Sequence, residues 1–107
     1  MIYHIVMPSH WAMFEQEEMY FSETFEQETF IHCSTQEQLA GVLQRYYANA
    51  GTVLQLEIDE AKLGTPAIYE VATNGEKFPH IYGGINKAAI VHLSELREIA
   101  PGKYQVS

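Results

Sequence analysis

One stretch constrains the fold more than any other. Ser34-Thr-Gln-Glu37 carries the S-x-x-E pattern of a helix start. Behind it Leu39, Val42, Leu43, Tyr46 and Ala50 keep helical spacing as far as Gly51, a natural stop. The rest of the chain reads mainly as strands. "IYHIV" (2–6) is a strand ended by Pro8, with Ser9 as cap of a short helix carrying Trp11 and Phe14. "TFIHCS" is a second strand, and "TVLQLEID" puts Leu54, Leu56 and Ile58 on one face. "AIYEVA", "AAIVHL" and "KYQV" follow, with turns at 73–76 and at Pro101-Gly102. Residues 15–28 are acidic and aromatic with weak periodicity, and read as loop with one helical turn. Several strands and one good helix predict an α+β class in a single domain over 1–107. The β-α-β unit open to it runs from Phe30 to Ile58.

Strand alternation then sorts the side chains that carry chemistry. In "FIHCS", Phe30, His32 and Ser34 share one face, and Ile31 and Cys33 the other. The helix is expected to cover Ile31 and Cys33, leaving His32 free. His4 lies on the first strand and would share a cleft with His32 if the two strands are neighbours. Ser34 and Thr35 stand where a cap belongs, and a helix start also attracts anions. Arg45, on the helix flank, is the first basic residue of the chain and suits phosphate or carboxylate. Glu70 shares a side with Ile68 and Ala72, a carboxylate among apolar neighbours, with Arg45, a histidine or a sugar hydroxyl as partner. In "KFPHIYGG" (77–84), Pro79 fixes its own φ and extends Phe78. His80 and Tyr82 then face one way, and Gly83 and Gly84 allow unusual backbone or close approach of a ligand.

Charge and cysteine usage exclude other classes. The net charge is −8, and residues 1–44 hold seven acids and no Lys or Arg, a field that repels nucleic acid. No apolar run reaches membrane-spanning length and no signal pattern opens the chain, so no membrane partner is expected. A single cysteine, Cys33, forms no internal disulfide and points to a cytoplasmic home. Its predicted face is buried, which disfavours a nucleophile. His4, His32, His80 and Glu70 are metal-ligand types, but no H-x-H or H-x-x-x-H spacing joins them, so a metal-dependent enzyme ranks below the alternatives. No Gly-rich loop precedes the helix, which removes Rossmann and P-loop sites.

"IYHI", "FIHCSTQEQL", Arg45, "LEID", Tyr69-Glu70 and "FPHIYG" together resemble a small bacterial family catalogued as domain of unknown function 952. Thr29 stands where the resemblance leads one to expect glycine. The resemblance implies an ADP-ribosyltransferase-like fold: split, mostly antiparallel sheets with one main helix after the second strand and a nucleotide cleft. A weaker similarity to RNA 2′-phosphotransferases runs through His4, His32, Ser34, Arg45 and "LEID". Phe30 replaces the first histidine of their H-x-H strand, which argues against that chemistry.

The implied function is binding of a small nucleotide or ADP-ribose-like ligand in a cleft, with group transfer on it as the further step. Ser34, Thr35 and Arg45 would hold phosphate. His4 and His32 would bond a ribose or exchange protons, with His80 beside them. Tyr82 would stack on a base or nicotinamide, and Glu70 would orient a 2′-hydroxyl. NAD or a related nucleotide is the cofactor so implied. The alternative is a non-catalytic small-molecule-binding or interaction module, and the oligomeric state is left open.

Overall fold

The computed structural model describes residues 1–107. Its nine strands form three antiparallel sheets. In the largest, β1 (Ile2–Val6) pairs with β4 (Thr52–Ile58), β4 with β8 (Ile90–Ala100), and β8 with β9 (Lys103–Val106). The second joins β2 (Met19–Tyr20) to β7 (Ile85–Asn86). The third runs β3 (Ile31–His32), β6 (Lys77–Ile81), β5 (Ala67–Val71). Three short helices complete the fold: α1 (Pro8–Ala12), α2 (Phe25–Glu28) and α3 (Leu39–Tyr46). No helix is long and apolar enough to cross a membrane.

The alternation of β4 builds two cores. Leu54, Leu56 and Ile58 join Ile2 and Val6 in one buried cluster with Tyr20, Ile31, Cys33, Ile81 and Ile85. Val53, on the opposite face, packs with Tyr3, Ile5, Leu96 and with Leu39 and Leu43 of α3. The expectation that α3 covers Ile31 and Cys33 is therefore corrected. The chain leaves β3 at Cys33 and crosses to the large sheet, where Ser34 pairs with Tyr3 through N–H···O bonds of 2.8 and 2.7 Å. The helix starts beyond that crossing and settles on the far face of the large sheet. Since β3 and β4 belong to different sheets, Phe30–Ile58 is not a β-α-β unit either.

Local chemistry moves several boundaries. With Ser34 spent on Tyr3, the helix cap falls one residue later: the Thr35 N–H donates to Gln38 Oε1 at 3.0 Å, opening a 3-10 turn over Gln36–Gln38 that leads into α3. α3 ends at Tyr46, ahead of Gly51. Glu98 organises that exit: its carboxylate accepts N–H bonds from Asn49, Gly51 and Gly102, which hold it below the usual carboxylate range. α1 begins with Pro8 rather than at a Ser9 cap, proline being suited to a first helical position. Residues 15–28, expected as loop with one helical turn, hold that turn as α2 and, beyond the expectation, the short strand β2. Tyr20 there is fully buried, ringed by His4, His10, Trp11 and Phe14 at centroid distances of 5.3, 5.8, 5.4 and 5.3 Å.

"KFPHI" is the central strand of the third sheet. Pro79 accepts a 2.9 Å bond from Cys33 N–H and has no N–H to return, so pairing with β3 stops after two residues. Gly83 and Gly84 serve packing: a Cβ at 84 would lie 2.8 Å from the Phe21 ring, and one at 83 would lie 2.8 Å from Thr65 Oγ1.

Candidate functional site

The register of β3 on β6 sets His32 directly opposite His80. Because Cys33 and Pro79 form a hydrogen-bonded position, the His32–His80 pair falls at the next, non-hydrogen-bonded one. Opposed side chains approach most closely there. The imidazole centroids lie 5.0 Å apart at 81°. Phe30 stacks on His80 at 4.2 Å and 22°, and lies 4.7 Å from His32 and 5.2 Å from Tyr82.

Each imidazole has its own carboxylate. Glu70 reaches across from β5, and its Oε1 accepts from His80 Nδ1–H at 2.7 Å and from the Tyr82 hydroxyl at 2.6 Å. Glu28, at the end of α2, accepts from His32 Nε2–H at 2.9 Å. An ionised carboxylate only accepts, so these bonds fix the tautomers: His80 keeps Nε2 free and His32 keeps Nδ1 free. The hydroxyl of Tyr82, then the His80 ring, hold the Glu70 carboxyl below its ordinary range; the His32 bond does the same for Glu28. The Glu70 contact pushes the Tyr82 phenol up. The His32 side chain is 53% exposed and that of Glu70 38%, whereas His80 is 14% exposed beneath Phe30.

Thr29 joins Glu28 to Phe30 with φ 66°, the left-handed region. The glycine expected at this position has a plain physical reason: the chain must reverse out of α2 so that Glu28 and Phe30 both face the histidines.

Not all of the expected residues meet here. His4 is buried, and both its ring nitrogens are occupied: Nδ1 donates to the His32 carbonyl at 2.6 Å and Nε2 accepts from Tyr20 at 2.8 Å. Burial lowers its pKa to about 4. Contact with a ribose is corrected to an internal strut. Ser34 is buried and pairs with Tyr3 through its backbone, while Thr35 caps the helix turn. Arg45 lies in the last turn of α3, 5.9 Å over its neighbour Tyr46, on the helix that covers the large sheet. No phosphate cradle of Ser34, Thr35 and Arg45 forms beside the histidines. Grooves of about 510 and 380 Å³ lie elsewhere, the first between α3 and β9, the second beside Trp11, Lys87 and His92. The histidines stand on an open sheet face. No three His, Cys, Asp or Glu side chains converge in a metal-binding arrangement. Composition does not single out Glu28 or Tyr20, because both sit in the acidic, aromatic segment 15–28, whose weak periodicity assigns no face to any side chain.

A histidine–carboxylate face on a small, mostly antiparallel α+β fold describes the class. The chain belongs to the family described as "Protein of unknown function (DUF952)", whose model matches residues 5–93. Among solved structures it is similar to the crystal structure of protein CC0527 from Caulobacter crescentus, with TM-score 0.87 and 23% identity over 97% of this chain and 92% of that one. The crystal structure of a double mutant of CC0527 gives TM-score 0.87 at 22% identity, over 97% and 92%. The CC0527 solution structure gives 0.77 at 22% identity, over 90% and 84%. The likeness shows a shared fold. No curated protein matches the chain.

Proposed function

We propose that this protein binds a nucleoside- or ADP-ribose-like small molecule on the exposed face of the third sheet, and that His32 and His80 exchange protons with it in a group-transfer step. One observation carries this reading: two imidazoles 5.0 Å apart, each fixed by its own carboxylate, each offering a free ring nitrogen. Imidazole trades protons near neutral pH, and a pair of them can supply base and acid to one ligand. Phe30 and Tyr82 offer ring surfaces for a base, and the second oxygen of Glu70 suits a sugar hydroxyl. Separate antiparallel sheets with one main helix support the ADP-ribosyltransferase-like arrangement implied by the family resemblance. Arg45 lies apart and the chain carries a net charge of −8, so base and ribose dominate recognition over phosphate.

Calorimetric titration with adenosine, ADP-ribose and NAD tests this. Saturable binding by the wild type, lost in folded His80→Ala and Phe30→Ala, is expected. A wild type that binds none of the three overturns the reading. Nicotinamide release from NAD, lost in Glu70→Gln, is expected for the transfer step; a binding but inert wild type confines the site to recognition. Exposed Ile68 of the edge strand β5, paired with His80 on this face, favours a second reading, a non-catalytic interaction module using the same face.

A further inference from the structure

The outer edge of β3 has an unusual neighbour. β3 is an edge strand, and His32 occupies a non-hydrogen-bonded position against β6. Its carbonyl therefore points away from β6, where a further strand would normally supply an N–H. His4 supplies the donor instead, from Nδ1 at 2.6 Å. A carbonyl only accepts, so the His4 proton sits on Nδ1 and Nε2 is left as an acceptor. The Tyr20 hydroxyl fills that acceptor at 2.8 Å. The bonds run one way, from Tyr20 O–H to His4 Nε2 and from His4 Nδ1–H to the His32 carbonyl. They join a strand from each of the three sheets. Pro79 makes the link more important, because it ends the β6 ladder one residue after His32.

We infer that His4 and Tyr20 are positioning residues: their hydrogen-bond chain stands in for a missing strand and fixes the His32 imidazole opposite His80. This rests on the proposed use of that face, but its geometry is testable without ligand. Neither residue touches the exposed face, and both act through the His32 backbone. Asparagine at 4 can place an amide N–H where Nδ1 stands; leucine cannot.

The experiment follows the histidine ring 15N and N–H signals of wild type, His4→Asn, His4→Leu and Tyr20→Phe. In the wild type, the His32 ring is expected to give an Nε2–H signal bonded to Glu28. His4→Leu is expected to lose that signal and broaden the His32 ring, while the His80 ring, held by Glu70, stays as in wild type. His4→Asn is expected to retain the His32 signal although it loses the Tyr20 bond, because an amide N–H is a donor without help, whereas His4 needs the Tyr20 hydroxyl to keep its proton on Nδ1. Tyr20→Phe is expected to broaden His32 in part, and it answers the question should His4→Leu not fold. A folded His4→Leu or Tyr20→Phe with wild-type His32 signals overturns the inference. So does His4→Asn losing the His32 signal while still folded. Failure of the ligand reading appears separately, as absent binding by the wild type.

Discussion

The two larger sheets differ in how they are covered. The β1-β4-β8-β9 sheet has α3 on one face and the main core on the other, and every residue of β1 is buried. The β3-β6-β5 sheet is covered once: Ile31 and Ile81 point into the core, while His32, Ile68 and Tyr82 face outward and are exposed. The same residue type behaves differently in each. His4, in the covered sheet, is neutral and spends both nitrogens on protein partners. His32 and His80, on the open face, each spend one and keep one. Cover turns a histidine into scaffold, and its absence leaves a ring nitrogen for something else.

The largest expected effect contrasts the sheets directly. Leu56→Ala removes a side chain with 0% exposure and should cost about 2–5 kcal/mol in urea denaturation. Ile68→Ala, with 50% exposure beside His80, should change stability by less than about 0.5 kcal/mol. An equal loss at both would mean that the open face is covered in solution.

Next comes acid. The folded pKa of His4 is lowered from 6.5 to about 4. Below pH 6.5 the unfolded chain takes up this proton first, so stability falls as pH drops from 6.5 towards 4, by about 3 kcal/mol in all. Depressed carboxylates such as Glu98 lose their contribution only as pH falls below the ordinary carboxylate value of 4.5. Across the window between pH 6.5 and 4.5, then, His4 draws on stability while those carboxylates do not. Denaturation midpoints across it should slope steeply in the wild type and much less in His4→Asn; parallel slopes would contradict a buried neutral imidazole.

Smallest is Thr29→Gly. A β-branched residue at φ 66° is strained, and glycine should raise stability by up to about 1 kcal/mol, seen as a higher Tm. A lower Tm would show that the Thr29 hydroxyl bond to the Glu28 carbonyl outweighs the strain.

Much of this was legible in single stretches of sequence. The alternation of "TVLQLEID" gave β4 and its contribution to the main core, and strand parity put Phe30 with His32 and His80 with Tyr82; the β3–β6 register, visible only in the fold, sets the two pairs face to face. What was hidden depended on where the chain goes after Cys33. The Ser34–Tyr3 crossing moves α3, and Arg45 with it, to the other side of the large sheet, and no local pattern encodes that path. Tyr20 and Glu28 were hidden for another reason: a two-residue strand and a four-residue helix are too short to show a period.

The most direct measurement is the set of histidine ring resonances during titration with ADP-ribose. His92, exposed on β8 beside the groove lined by Trp11 and Lys87, is an internal control. The account expects His32 and His80 to shift together and saturate while His4 and His92 stay fixed. Stationary His32 and His80 signals, or a His92 shift of the same size, would contradict it.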